Sequence, residues 1–313
     1  GTNAGMTNQG NLGIAIGYQA AMSNQATFTV AIGYRAGMAT QAGQAVAVGL
    51  YAATTNQGLY SVAVGPQAGS AFQGTQSVAI GWQAAQTNQA SSCIAIGDSA
   101  GQTGQYYGSL AIGSGAGNSL QGTQAIAIGF NAGSQYQGCG AIAIGYQAGL
   151  TTTATLGQFA GAVAIGYQAG QYSQGTRNVA IGYQAGFYAQ DTGSVAIGES
   201  AGSTNQSSRC VAIGTNAGAS GQASRAIAIG ELAGQSGQGR ECVAIGWSSA
   251  KGQQLPFAVA VGTNAGMTAQ ETFAVAVGAL CGVISQGNSS VAVGARAGNT
   301  NQGANCVAIG PSA

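Results

Sequence analysis

The sequence predicts an all-β chain wound as a parallel β-solenoid of 16-residue coils, with about 19 rungs. Three observations carry this reading. The motif A-[IV]-G recurs at a fixed period along all 313 residues. Its β-branched residues alternate with alanine at the two-residue period of a strand, not at that of a helix. Glycine fills 56 positions and recurs within every coil, and each glycine would cost about 1 kcal/mol in a helix interior.

Taking the Gly of A-[IV]-G as position zero, the motif falls at 17, 33, 49, 65, 81, 97, 113, 129 and 145. It resumes at 166, 182, 198, 214, 230, 246, 262, 278, 294 and 310. Every step is 16 residues except that from 145 to 166, which is 21 and puts a five-residue insertion within 150–157. Gly1 also fits the zero position, so 1–313 reads as a single repeat array. The array opens and closes in mid-repeat, without the polar capping units that such arrays need. It therefore reads as a segment of a longer chain. With strands ~4.8 Å apart, its rungs predict a rod roughly 85 Å long.

The first element of each coil is the V-A-I-G strand. Positions −3 and −1 are Val, Ile or, at Leu110, Leu; position −2 is Ala in all 19 motifs. Successive side chains point to opposite faces, so one face is aliphatic and the other carries only Ala and Gly. A strand apolar on both faces is normally covered on both. A thin solenoid has one interior, so the second face is expected to meet another molecule. The expectation is that Ala and Gly fill the interior, helped by Ala at +3, while the aliphatics pack between chains; the reverse assignment stays open.

The turn after the strand begins at +1, where Tyr18, Tyr34, Trp82, Phe130, Tyr146, Tyr167, Tyr183 and Trp247 stand. Aromatic rings spaced along a rod are candidate ligand or receptor contacts, for example by stacking on sugars; shielding of the turn and of an intermolecular seam is the other reading. Position +6 carries Thr55, Thr87, Thr103, Thr204, Thr268 and Thr300, a row that raises an ice-binding alternative, although Gln135, Tyr172, Tyr188 and Ile284 interrupt it.

Position +8, counted through the insertion, is Gln every time: Gln9, Gln25, Gln41, Gln57, Gln73, Gln89, Gln105, Gln121, Gln137, Gln158, Gln174, Gln190, Gln206, Gln222, Gln238, Gln254, Gln270, Gln286 and Gln302. Identical amides on stacked turns predict a structural ladder, each bonding the next.

At this point the residues suggest a family. YSVAVG (60–65), QSVAIG (76–81), GSVAIG (193–198) and SSVAVG (289–294), each followed by a small-residue step, resemble the head repeats of YadA-like trimeric autotransporter adhesins. VAIGYQAG-type repeats are similar to those of phage and giant-virus fibre proteins. The resemblance spans the whole chain, although the adhesin repeat is shorter. It implies a left-handed parallel β-roll, three copies of which are intertwined or packed as a homotrimer. It also implies a structural fibre or adhesin rod on a bacterial or virion surface, hence an extracellular setting with a host receptor or glycan as partner.

Composition bounds the chemistry. Only 4% of residues are charged and the net charge is +1, which removes any electrostatic case for nucleic acid or an anionic membrane. No apolar run approaches the ~20 residues of a membrane span, so no membrane insertion is expected. With no His and a single Lys, Lys251, the common bases are missing, and no enzyme is expected. Glu199 and Glu231, both at +1 and two coils apart, are the best carboxylate pair for a glycan-cleaving alternative. No cofactor or metal site is expected, since no C-x-x-C spacing exists. Cys93, Cys210, Cys242 and Cys306 share position −4 and read as small-residue substitutes or free thiols, with interchain bonding as the alternative. Arg209, Arg225 and Glu241 share position −5 on successive coils, so Arg225 and Glu241 should be neighbours.

Overall fold

The computed structural model describes residues 1–150 and 157–313. The expected insertion within 150–157 lies, but for its end residues, outside the described residues. The chain forms two compact units, 1–161 and 162–313. Each is all-β and parallel, and each turn of the winding takes one repeat.

In the first unit nine V-A-I strands, from Ile14–Ile16 to Ile142–Ile144, stack in sequence order. In the second unit ten do so, from Val163–Ile165 to Val307–Ile309. Register is exact to the residue: Val62 lies between Val46 and Val78, and Ala63 between Ala47 and Ala79. A second ladder runs through the strands that end in the +8 glutamine. It comprises eight strands in the first unit, Thr7–Gln9 to Ser119–Gln121, and shorter runs in the second, such as Tyr172–Gln174 to Ser220–Gln222.

Two three-residue strands leave most of each turn to corners, and left-handed residues make those corners. In the turn starting at Gly49, positive φ occurs at Gly49 (134°), Tyr51 (55°), Ala53 (44°), Asn56 (51°) and Tyr60 (58°). The same five positions recur from turn to turn. Non-glycine residues in this region cost about 1–2 kcal/mol each, and Asn suffers least. This explains the Asn at +7 in Asn24, Asn56, Asn88, Asn205 and Asn301, all with φ between 50° and 56°.

Position zero is stricter. Its φ of 118–134° lies outside the left-handed helical well. A Cβ at Gly33 would also stand 2.5 Å from the carbonyl oxygen of Gly49 on the next turn. Only glycine serves there.

The interior is built almost without large apolar side chains. Among the described residues, the buried apolar ones are alanines, four cysteines and Val283. Away from the first and last turns, the Ala of each V-A-I strand and the Ala at +3 have no accessible surface, and the largest fully buried side chains are the +8 glutamines. Each buried methyl contributes only about 0.8 kcal/mol, so polar pairing carries an unusual share of the cohesion. Ala and Gly thus face inward, as expected from the alternation. The aliphatics face outward: Ile32, Ile80, Ile96, Ile213, Ile229 and Ile245 keep 36–38% of their surface.

Candidate functional site

The glutamine row is an interior ladder. Gln105 Nε2 donates to Gln121 Oε1 at 3.1 Å, and Gln121 Nε2 to Gln137 Oε1 at 3.1 Å. In the second unit Gln190, Gln206, Gln222 and Gln238 are joined by bonds of 2.9–3.0 Å. Each amide also caps backbone carbonyls. Gln121 Nε2 reaches Leu110 O at 2.7 Å and Ala125 O at 3.3 Å. A side chain that bonds two backbone carbonyls and the glutamine of the next turn leaves little tolerance for substitution.

Position −4 lies in the interior and carries more than small residues. Ser77 and Ser194 donate across the core to the carbonyls of Ala90 and Ser207 at 2.8 and 2.7 Å. Cys93, Cys210 and Cys242 donate to the equivalent carbonyls of Tyr106, Ala223 and Leu255, each at 2.9 Å. These cysteines therefore replace serine in a fixed hydrogen bond. Burial pushes the thiols of Cys210, Cys242 and Cys281 above their ordinary pKa. All six cysteines are unpaired in the chain, with Cys139 and Cys306 exposed.

Three features reach the surface. The first is the outward aliphatic face. Per unit, a strand of three residues at about 3.3 Å by nine or ten turns at about 4.8 Å gives roughly 400–500 Å2 of flat apolar sheet. That equals the largest patch of an ordinary soluble monomer, ~300–600 Å2.

The second feature is the aromatic rows. All eight +1 rings are 40–51% exposed. Those on adjacent turns stack face to face: Tyr18 on Tyr34 at 5.2 Å, Phe130 on Tyr146 at 5.3 Å and Tyr167 on Tyr183 at 5.1 Å between ring centres. Trp82 and Trp247 belong to other turns and form no such pair. Further stacks lie off this row, Tyr172 on Tyr188 at 4.8 Å with Phe187 edge-on, and Phe257 on Phe273 at 5.0 Å. Their signal in the sequence was the 16-residue separation of each pair.

The third feature is a charged corner in the second unit. Arg225 and Glu241 are neighbours, as their shared position predicts: Arg225 Nη1 meets Glu241 Oε1 at 2.7 Å, and Arg240 Nη2 meets the same oxygen at 3.0 Å. These two guanidiniums, Arg225 foremost, hold the Glu241 carboxyl below the usual carboxylate range. Asp191 is lowered too, chiefly by the Ser208 hydroxyl at 2.7 Å and then by the Thr192 N–H at 2.7 Å. Glu199 and Glu231 stand exposed on turns two apart, with Thr215 on the turn between them.

Among the described residues no group of three His, Cys, Asp or Glu is placed to hold a metal ion, and no helix is long and apolar enough to cross a membrane. No protein-family model matches the chain, and no curated protein matches it significantly.

Proposed function

We propose that this chain is a non-enzymatic fibre rod that self-associates, as a homotrimer, through its aliphatic face and presents its corner residues for attachment at a cell or virion surface. One observation carries the reading: the core is alanine and glutamine, while the Val and Ile rows point outward as continuous apolar stripes. Ordinary monomers bury their aliphatics and expose their small and polar residues. Here the arrangement is inverted, which is economical only when a second copy covers the stripe. Burying such a face on three copies brings the interface into the 1,200–2,000 Å2 range of stable association, by order of magnitude.

The threonine row weighs against the ice-binding alternative. Thr204 and Thr268 donate their hydroxyls to Ala219 O and Val283 O on the next turn, at 2.8 and 2.9 Å, and tyrosines interrupt the row. Sedimentation of the native protein tests the proposal. A particle of three chains supports it, and a stable monomer at micromolar concentration overturns it.

A further inference from the structure

The charged corner of the second unit has the composition of a small anion site. Thr192, Ser208, Arg209, Ser224, Arg225 and Arg240 line one open depression. They come from two adjacent positions, −6 and −5, on four successive turns, so their backbones are spaced at about 4.8 Å along the winding. At the −5 position the turn before Arg209 carries Gly193, whose absent side chain leaves a notch: a Cβ built there would meet nothing nearer than Arg209 Cγ at 3.8 Å.

The charges are unequally matched. Glu241 takes both Arg225 and Arg240, through bonds of 2.7–3.1 Å. Asp191, at the other end, already accepts from Ser208 and the Thr192 N–H. The Arg209 guanidinium has no acceptor among the described residues. Three guanidiniums thus face two carboxylates, and the surplus positive charge sits at Arg209, beside the notch and between hydroxyls.

We propose that this corner binds the single anionic group of an acidic sugar, a carboxylate or a sulfate ester, with Arg209 as its principal contact. A planar guanidinium fork matches the paired oxygens of either group, and the Ser and Thr hydroxyls around it suit the neighbouring sugar hydroxyls. A polyanion fits poorly. One surplus charge, in a chain of net charge +1, gives little counterion release along nucleic acid or heparin-like polymers. The site names a ligand class for the attachment role proposed above, and it rests on that reading only for its use. The corner lies at the turns, not on the V-A-I strands, so its occupancy does not require self-association.

Saturation-transfer NMR with methyl glucuronide, a sulfate ester of methyl galactoside and neutral methyl galactoside tests it, with sedimentation run on the same samples. Binding of either acidic glycoside but not the neutral one is expected, weakened at least tenfold in Arg209→Gln and strengthened in Glu241→Gln, which releases two guanidiniums. Whichever glycoside binds identifies the carboxylate or the sulfate source. Equal binding of the neutral sugar, competition by inorganic sulfate as strong as by the sulfated sugar, affinity that grows with polyanion length, or an unchanged Arg209→Gln each overturns the proposal. Sedimentation reports separately on the fibre reading, so either can fail alone.

Discussion

Ala53 leaves the Gln57 side-chain oxygen without a donor. In most turns position +4 is Gly, and a Cβ there would stand 2.7–3.0 Å from Oε1 of the same turn's glutamine, as at Gly69 and Gln73. Where the residue is Ala, the methyl group occupies that space. Gln25, Gln57 and Gln89, which follow Ala21, Ala53 and Ala85, have Oε1 buried and unpaired; Gln302, in the last full turn, shares this after Gly298. The fourth case, Ala250, keeps its bond: Gln238 donates to Gln254 at 3.3 Å, within the 2.9–3.5 Å range of rungs that follow Gly. Ala53→Gly is therefore expected to close the Gln41–Gln57 bond and to relieve a left-handed alanine, stabilising the protein by about 1–2 kcal/mol. Gly69→Ala should do the reverse. Urea midpoints of the two variants check both signs.

Gln121 sits mid-ladder with every polar atom engaged. Gln121→Leu strands Gln137 Oε1, at about 1–3 kcal/mol for the orphaned group, and removes the acceptor of Gln105 Nε2. Gln44, exposed at a corner, provides the contrast, and its replacement by Ala should stay within about 0.5 kcal/mol. Chemical denaturation of the pair would refute the ladder's role if both cost the same.

The thiols divide by burial. A thiol reagent at neutral pH should label Cys139 and Cys306 quickly and Cys93, Cys210, Cys242 and Cys281 only on unfolding. Mass spectrometry of the labelled protein reads the difference. Cys210→Ser should be nearly neutral, because Ser194 makes the same bond one turn earlier.

Stability should fall at both pH extremes, for opposite reasons. The raised folded pKa of Cys210, Cys242 and Cys281 gives stability that is complete below the unfolded thiol value of about 8.5. That stability is lost as pH rises through the folded value. The lowered carboxyls of Asp191 and Glu241 contribute above the unfolded carboxyl value, about 4. Their contribution is lost as pH falls through the folded values. Replacing the three cysteines by Ser should remove the alkaline limb of a melting profile; persistence of that limb would place its origin elsewhere.

Ile213 points outward and is 36% exposed. Ile213→Lys should leave the fold of each unit intact, since a lysine stem can lie along the sheet with its ammonium in water. It should weaken self-association, moving the sedimenting species toward one chain. Unchanged circular dichroism with an unchanged particle mass would exclude the V-A-I face as the interface.

Much of this was legible beforehand. The spacing of A-[IV]-G located all 19 V-A-I strands, the alternation of Val and Ala divided the two faces, and the shared −5 position paired Arg225 with Glu241. What escaped were features made by contact between turns. Position −4 reads as a miscellany of Ala, Ser, Thr, Asn and Cys until most of its hydroxyls and thiols are seen to reach the carbonyls of position +9. Gly and Ala at +4 look interchangeable until the glutamine amide is placed beside them. The Asn at +7 has no meaning without the sign of φ.

Periodicity alone establishes the winding, because a strict 16-residue repeat of strand and turn can stack identical positions in only one register. Which atoms meet across that register is another matter. Burial of the glutamines, the broken rungs after Ala21, Ala53 and Ala85, the ring stacks and the unmatched Arg209 depend on distances between residues 16 apart. Those distances exist only once the turns lie on one another.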